Sequence, residues 1–327
     1  MTNKQFLKTI KTTAVAVALS MVFCESARAG AGVITCPDNV PTGTKCYKCG
    51  DNCTAKLETT GKMTISGTGD MYDYTYNEGS SIGAKYTTYA PWRDAAQNIR
   101  SIEIYGVSSV GQAAFLGMKN ATSVYIDDSV KNIKIWSLED CNFTKVYIPA
   151  SVKSIGDNAL KLNPNLEIVA VAETTQLSSG INASVHSNLL YTYKTKGDLV
   201  YLYNSENNVA DIYEDLSDLQ SKLQGTGNSR YELDDKGNII IYGKNGKISG
   251  EYNSDGTLLY EYTYKDGITS KYNADGKLLY AKDANGSSYS YDSDGNLTGM
   301  TKRGPFTIPE ANALTKDGPV NTVTITW

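Results

Sequence analysis

One histidine, His186, stands in 327 residues, beside only three Trp and five Phe. A chain this poor in imidazole offers little general-base chemistry. His186 lies in Asn182-Ala-Ser-Val-His-Ser without a G-x-S-x-G, an H-E-x-x-H or a Cys/His grouping near it, and a general base needs a positioned partner. It reads as a surface or turn residue. No glycine-rich phosphate loop opens a helix, and paired acids such as Asp127/Asp128 and Asp234/Asp235 fall in turn-like contexts where a carboxylate is ordinarily solvated. The chain also lacks an excess of positive charge: its formal net charge is −4. Nucleic acid is therefore not an expected partner, because phosphate binding needs a basic footprint. Past the first thirty or so residues no apolar run is long enough for a membrane helix. These absences predict a protein that is not an enzyme, with no cofactor and no metal.

The N-terminus has the order of a secretory signal peptide: Lys4, Lys8 and Lys11, an uncharged run from Thr12 to Cys24, then Ala27-Arg-Ala29 before Gly30. Residues 1–29 are read as signal peptide, with the mature chain beginning at Gly30. Cys24 would suit lipid attachment, but the bulky Phe23 before it does not resemble a lipobox. Removing residues 1–29 takes four basic residues and one acidic one, so the net charge moves from −4 to −7. The expected location is secreted or cell surface.

What the chain has in quantity is tyrosine, 24 residues, and glycine, 29. Tyrosine suits a two-faced strand, with an apolar ring for the sheet and a hydroxyl for water. Self-similarity explains the rest. Ser101-Ile-Glu-Ile104, Ser123-Val-Tyr-Ile126, Lys145-Val-Tyr-Ile148 and Glu167-Ile-Val-Ala170 place their second residues at 102, 124, 146 and 168, a period of 22 that lies in the leucine-rich-repeat range. Between them Val107/Val110, Val130/Ile133 and Val152/Ile155 recur, followed by Phe115, Leu138 and Leu160. One such coil cannot bury its faces alone, so coils must stack.

The phrases Gly61-Lys-Met-Thr-Ile-Ser-Gly-Thr-Gly-Asp-Met-Tyr72, Ala90-Pro-Trp92 and Ile148-Pro-Ala-Ser-Val-Lys-Ser-Ile-Gly-Asp-Asn-Ala-Leu160 closely resemble the BspA-type (Treponema-type) leucine-rich-repeat family of bacterial surface proteins, over about residues 57–172. The resemblance implies a right-handed solenoid and adhesion to host or matrix proteins or to other bacteria. Asp127-Asp128 and Lys134-Ile-Trp136 depart from the family's usual Pro and Gly-x-x-Ala positions, where the middle coil is expected to distort. After Ala172 the repeats fade.

Leu190–Tyr203 reads as a hairpin about Lys196-Gly-Asp198, and Val209, Ile212, Leu216, Leu219 and Leu223 read as one amphipathic helix ending at Gly225, a cap for the solenoid. A second array follows. Asn245-Gly246, Asp255-Gly256, Asp266-Gly267, Asp275-Gly276, Asn285-Gly286 and Asp294-Gly295 recur at steps of 10, 11, 9, 10 and 9, and such dipeptides between alternating runs signal hairpins because both residues tolerate φ > 0. Tyr252-Asn-Ser-Asp-Gly-Thr-Leu-Leu-Tyr260, Tyr272-Asn-Ala-Asp-Gly-Lys-Leu-Leu-Tyr280 and Tyr291-Asp-Ser-Asp-Gly-Asn-Leu297 resemble the YD repeats of the Rhs family over about residues 230–304. Strand geometry carries over from that family; the toxin role does not. Leu258, Tyr260, Tyr262 and Tyr264 are expected on one face of a meandering sheet.

The expected fold is thus mainly β: a short right-handed leucine-rich-repeat solenoid followed by a β-hairpin (YD-like) repeat sheet. Its domains are 1–29 signal peptide, 30–56 Cys-rich segment, 57–190 solenoid with N-terminal cap, 191–229 hairpin, helix and linker, 230–304 hairpin repeats, and 305–327 a strand-helix-strand tail read as a small sorting or closing module. Cys36, Cys46, Cys49 and Cys53 hold a single C-x-x-C, where strong zinc sites use two, and in an exported chain they read as two disulfides. Cys141 reads as a buried small hydrophobe. The Asp-x-Asp-Gly turns have alternating oxygen ligands but no closing acid of a calcium loop, so turn formation is the preferred explanation. The expected function is adhesion, or protein or glycan binding, with a host or matrix protein or a glycan as ligand. Glu103, Tyr125, Tyr147 and Val169, the outward middle positions of the repeat strands, form the candidate binding face. The alternative is a structural spacer or envelope component without a specific ligand.

Overall fold

The computed structural model describes residues 32–37, 39–77, 87–177, 185–227, 229–301, 303, 307–309 and 322–324. The signal-peptide reading falls outside them, as does the helix expected in the tail, whose described strands Thr307–Pro309 and Thr322–Thr324 pair antiparallel. Two compact units emerge, one within Met1–Tyr193 and Asn204–Asn208, the other within Lys194–Tyr203 and Val209–Trp327.

The first unit starts with a long hairpin. Strands Lys45–Leu57 and Lys62–Met71 run antiparallel with Leu57 opposite Met63 and Ala55 opposite Ile65, so alternate apolar side chains enter the core. The second of them then pairs in parallel with strand Ser101–Val110, Met63 beside Ile102 and Ile65 beside Ile104. A coil is thereby presented with a ready-made partner on its N-terminal side.

From there the period of 22 becomes a stack. Ile102 lies beside Val124 and Ile104 beside Ile126; further on Val146 lies beside Val169, and Val169 beside Leu190. A second ladder joins Val110, Ile133, Ile155 and Leu177. On the return side the coils bond through loops: Ala113 N–H to Ile135 O at 3.2 Å, Phe115 N–H to Ser137 O at 2.8 Å, Leu138 N–H to Ala159 O at 3.0 Å. Hydrogen bonds thus join successive coils along the second ladder and the return side, while the first ladder falls into two sheets, one reaching Ser123–Ile126 and the other starting at Lys145–Tyr147. Phe115, Val130, Leu138, Val152 and Leu160 fill the space between, all fully buried. Trp92 closes the first coil: its indole N–H donates to Ala114 O at 3.0 Å and its ring stacks on Phe115 at 5.6 Å.

Each coil turns through two left-handed residues. Ala113, Trp136 and Asn158 (φ 50°, 58° and 57°) form one row; Gly117, Asp140 and Leu162 (81°, 55° and 57°) form the other. Five of the six are not glycine, which is uncommon, and the stack holds them there.

Three expectations change. The inward residue of the fourth strand is Val169, not Ile168, which sits beside Lys145; the Asn163-Pro-Asn165 loop makes this coil one residue longer. The strand Leu190–Tyr193 does not belong to a hairpin alone: it runs parallel to Val169–Ala172, so the stack continues beyond the point where the sequence pattern fades. The middle coil also keeps its register. Lys134 occupies the position held by Gly111 and Gly156 in the flanking coils, and its ammonium reaches Asp73 at 2.9 Å; Trp136 packs on Tyr76 at 4.5 Å.

In the second unit, Leu199–Tyr203 pairs antiparallel with Val209–Tyr213, and a helix covers Leu216–Leu223. The helix is therefore half the expected length. Asp215 caps it, accepting from the Asp218 N–H at 2.7 Å, and the β-branched and aromatic residues before this cap form a strand instead. Eight strands from Arg230–Leu233 to Leu297–Thr301 then follow as a meander, each paired with the next. Its buried side holds two clusters, Ile239, Ile241 and Tyr252 with Leu199, Tyr201 and Ile212, and Tyr272, Leu278, Ala281, Tyr289 and Tyr291. A bulge between Glu251 and Tyr252 pairs Tyr252 with Leu258 but Glu251 with Tyr260. Leu258 thus joins the buried side and parts from Tyr260, contrary to the plain alternation.

The turns work differently from the dipeptide reading. Of the residues preceding glycine in these turns, only Asp266 has positive φ. In the Asn253, Asn273, Asp283 and Asp292 turns the residue three before the glycine closes the loop: Asn253 Oδ1 accepts from the Asp255 and Thr257 N–H groups at 2.9 and 3.0 Å, and Asp283 Oδ1 from Asn285 and Ser287 at 2.9 and 2.8 Å; at Gly246 that position is Gly243, and Asn245 Oδ1 accepts from the Lys247 N–H instead. This is a type I turn with a left-handed glycine after it. Asp234 builds the same loop around Lys236-Gly237, which no Asn-Gly or Asp-Gly search finds.

Candidate functional site

The stack decides which side chains of the strand face reach solvent. Ile102 and Ile104 point inward, so Glu103 and Tyr105 point outward, with Glu103 beside Tyr125 on the next coil. The Tyr105 and Tyr125 rings lie 5.0 Å apart at 33°. Tyr105 is 36% exposed. Its hydroxyl donates to Glu103 at 3.4 Å, and burial of part of the ring, followed by the nearby Glu103 charge, pushes its pKa up to about 12. Glu103 also meets Lys62 at 3.6 Å, and Lys62 meets Glu58 at 3.8 Å.

Asp127 borders this patch. Its carboxylate accepts from the Gly106 N–H and the Ser129 N–H, each at 3.0 Å, and from the Ser129 hydroxyl. All three donors are uncharged. This residue replaces the proline of the family pattern, and the departure leaves the coil in place while setting a negative charge beside Tyr105.

The other two candidates are not available. Tyr147 is 5% exposed and stacks on Tyr193 at 5.4 Å, while Tyr193 donates to Ile148 O at 2.7 Å. Val169 is fully buried, because the longer coil turns it inward. Glu103 and Tyr125 are brought together; Tyr147 is a structural neighbour further along; Tyr105 is the residue the repeat alignment missed. Its signal was alternation, since Ser101, Glu103 and Tyr105 fall on one face.

Other chemistry-bearing residues find structural partners. Cys36, just past strand Val33–Ile34, bonds to Cys46 on strand Lys45–Leu57, and Cys49 bonds to Cys53 within that second strand. Cys141 is buried, donates weakly to Phe115 O at 3.3 Å, and burial pushes its pKa well above the usual thiol range, leaving a neutral and poorly nucleophilic sulfur. It lies at the floor of a cleft of about 610 Å³ with the exposed His186, Lys161 and the Lys119–Asp140 ion pair, 3.0 Å, on its walls. In the second unit Asp292 spends both oxygens on its turn, accepting from Asp294 N–H, Asn296 N–H and the Asn296 amide.

Two family models match parts of the chain. A family model for a BspA type leucine rich repeat region matches residues 94–193 in six copies, and one for an RHS repeat matches residues 272–305. No curated protein matches the chain. Among solved structures, a leucine-rich repeat protein from Eubacterium ventriosum is 20% identical over 50% of this chain and 48% of its own, with a TM-score of 0.36. A leucine rich cell surface protein from Faecalibacterium prausnitzii is 11% identical over 53% and 61%, with a TM-score of 0.20. The match to the first spans about half of that protein's length. Residues 94–193 are thus a BspA-type leucine-rich repeat region, and residues 272–305 carry an RHS repeat.

Proposed function

We propose that this is an exported bacterial surface or secreted protein that works by binding a host or matrix protein or a glycan, and that its recognition face is the strand side around Glu103, Tyr105 and Tyr125. The observation that carries the reading is the tyrosine pair: two rings held 5.0 Å apart on adjacent coils whose backbones are fixed by the ladder. Rigid, amphipathic tyrosines contribute contact area at low entropic cost, as at many interfaces. The test is adhesion of the purified chain to immobilised matrix proteins and glycans, wild type against Tyr105→Ser/Tyr125→Ser. A loss of about tenfold or more with unchanged urea unfolding supports the reading; equal adhesion discards it.

A structural spacer is the second reading. Tyr147 and Tyr193 favour it, since these rings bury one another and show that tyrosines on a ladder can serve packing alone. Pull-downs that return only envelope neighbours would support it.

A further inference from the structure

We propose that the Tyr105/Tyr125 patch is a docking surface for a basic, extended segment of a partner protein, with one lysine or arginine side chain of that segment lying over the Tyr105 ring between Glu103 and Asp127. The inference rests on the binding role proposed above and names the partner's chemistry.

Charge complementarity carries it. Three carboxylates, Glu58, Glu103 and Asp127, stand along this side, and the ion pair that meets them is Lys62, shared between Glu58 and Glu103 at 3.8 and 3.6 Å. Lys56 stands on the same outward row, opposite Thr64, which in turn lies opposite Glu103, so these five groups leave the patch with one net negative charge. Asp127 in particular is held only by N–H and O–H donors, which orient a carboxylate without neutralising it. A cation over a tyrosine face is attracted by the ring quadrupole, and a planar guanidinium adds bidentate bonding to a carboxylate. An anionic partner would meet repulsion at the same place. A neutral glycan would hydrogen-bond these carboxylates but gain nothing from their net charge, so its binding would not weaken as salt rises.

The same chain already shows the contact the patch invites. On the meander, Lys271 lies over the Tyr260 ring at 3.7 Å while its ammonium is 3.4 Å from Glu251. Ring, cation and carboxylate form one set there, with all three members supplied internally. On the strand face Tyr105 and Glu103 supply two members, and the partner's basic side chain is the third.

The test measures binding of the full mature chain to fluorescent peptides of equal length: a Lys/Arg-Gly peptide, its Glu-Gly counterpart and a neutral Ser-Gly peptide, with a neutral glycan array alongside. The basic peptide is expected to bind at low ionic strength and weaken as salt rises. Tyr105→Ser and Glu103→Lys are each expected to weaken it at least about threefold, and Tyr105→Phe, which keeps the ring, to bind like wild type. Because Asp127 also clamps the coil, it is left intact. Equal binding of basic and neutral peptides overturns the inference, as does indifference to Tyr105→Ser and Glu103→Lys. Adhesion that needs Tyr105 and Tyr125 while only the neutral glycan array shows binding also overturns it, yet leaves the proposed binding role standing; adhesion indifferent to both tyrosines removes that role itself.

Discussion

Gly156→Ala separates stacked coils from unstacked ones by the sign of its effect. The backbone at Gly156 is not left-handed, so local conformation alone would accept alanine. An added Cβ would however lie 2.5 Å from the Ile135 N and 2.9 Å from its Cα on the neighbouring coil, where ordinary contact begins at 3.4 Å. Relief requires the two coils to part by about 0.9 Å. The Gly156 N–H to Ile133 O bond, 2.8 Å, then stretches past hydrogen-bonding range, and the Trp136 N–H to Asp157 O bond at 3.2 Å goes with it. Two backbone bonds at about 1 kcal/mol each, with about 1 kcal/mol of strain from overpacking, give an expected loss of about 3 kcal/mol. Lys134→Ala, at the equivalent position of the middle coil, already has room for a Cβ and forfeits only the exposed Asp73 ion pair, worth at most about 1 kcal/mol. Urea titration followed by tryptophan fluorescence reads both, since Trp92 and Trp136 lie in the first unit. Without coil contact, Gly156→Ala would stabilise by about 0.5 kcal/mol through the unfolded chain, and that result would refute the reasoning.

Two further predictions test other parts of the fold. Burial pushes the Glu139 carboxyl from 4.5 up to about 7, so its folded form holds a proton that the unfolded chain releases; the associated stability is full below about pH 4.5 and fades as pH rises through 7. Glu139→Gln is expected to flatten that slope and to gain up to about 3 kcal/mol at pH 8, measured as urea midpoints across pH 5 to 8; a variant with the wild-type slope would contradict it. Asn253→Ala is expected to cost about 1 kcal/mol by removing the acceptor of two turn N–H groups, whereas Asp255→Ala should change thermal stability within a few tenths; the reverse order would restore the dipeptide reading of these turns.

The parts of the fold that were legible in the sequence are those where one residue type has one cause. A buried row must be apolar, so Ile102, Val124 and Val146 announced the period of 22. A left-handed position after a type I turn favours glycine, so Gly256, Gly276 and Gly295 announced the meander. What was not legible depends on a neighbour. Ile168 and Val169 are equally apolar, and only pairing with Lys145 and Val146 decides which faces inward. Trp136 and Asp140 are left-handed where they bond to the next coil, through Asp157 O and Lys161 O, and neither advertises it. The bulge that sends Leu258 to the buried side is likewise set by its partner strand. At the candidate face, Glu103 and Tyr125 followed from alternation, while Val169 was misplaced by the one-residue longer coil and Tyr105 lay one step past the repeat phrase.

Methyl–methyl nuclear Overhauser contacts in the folded chain test the stack most directly. Cross-peaks are expected from Ile102 to Val124, Ile104 to Ile126 and Val146 to Val169, with Ile133 contacting both Val110 and Ile155. Their absence, or cross-peaks that place these side chains against unrelated partners, would contradict the stack and with it the face that carries Tyr105 and Tyr125.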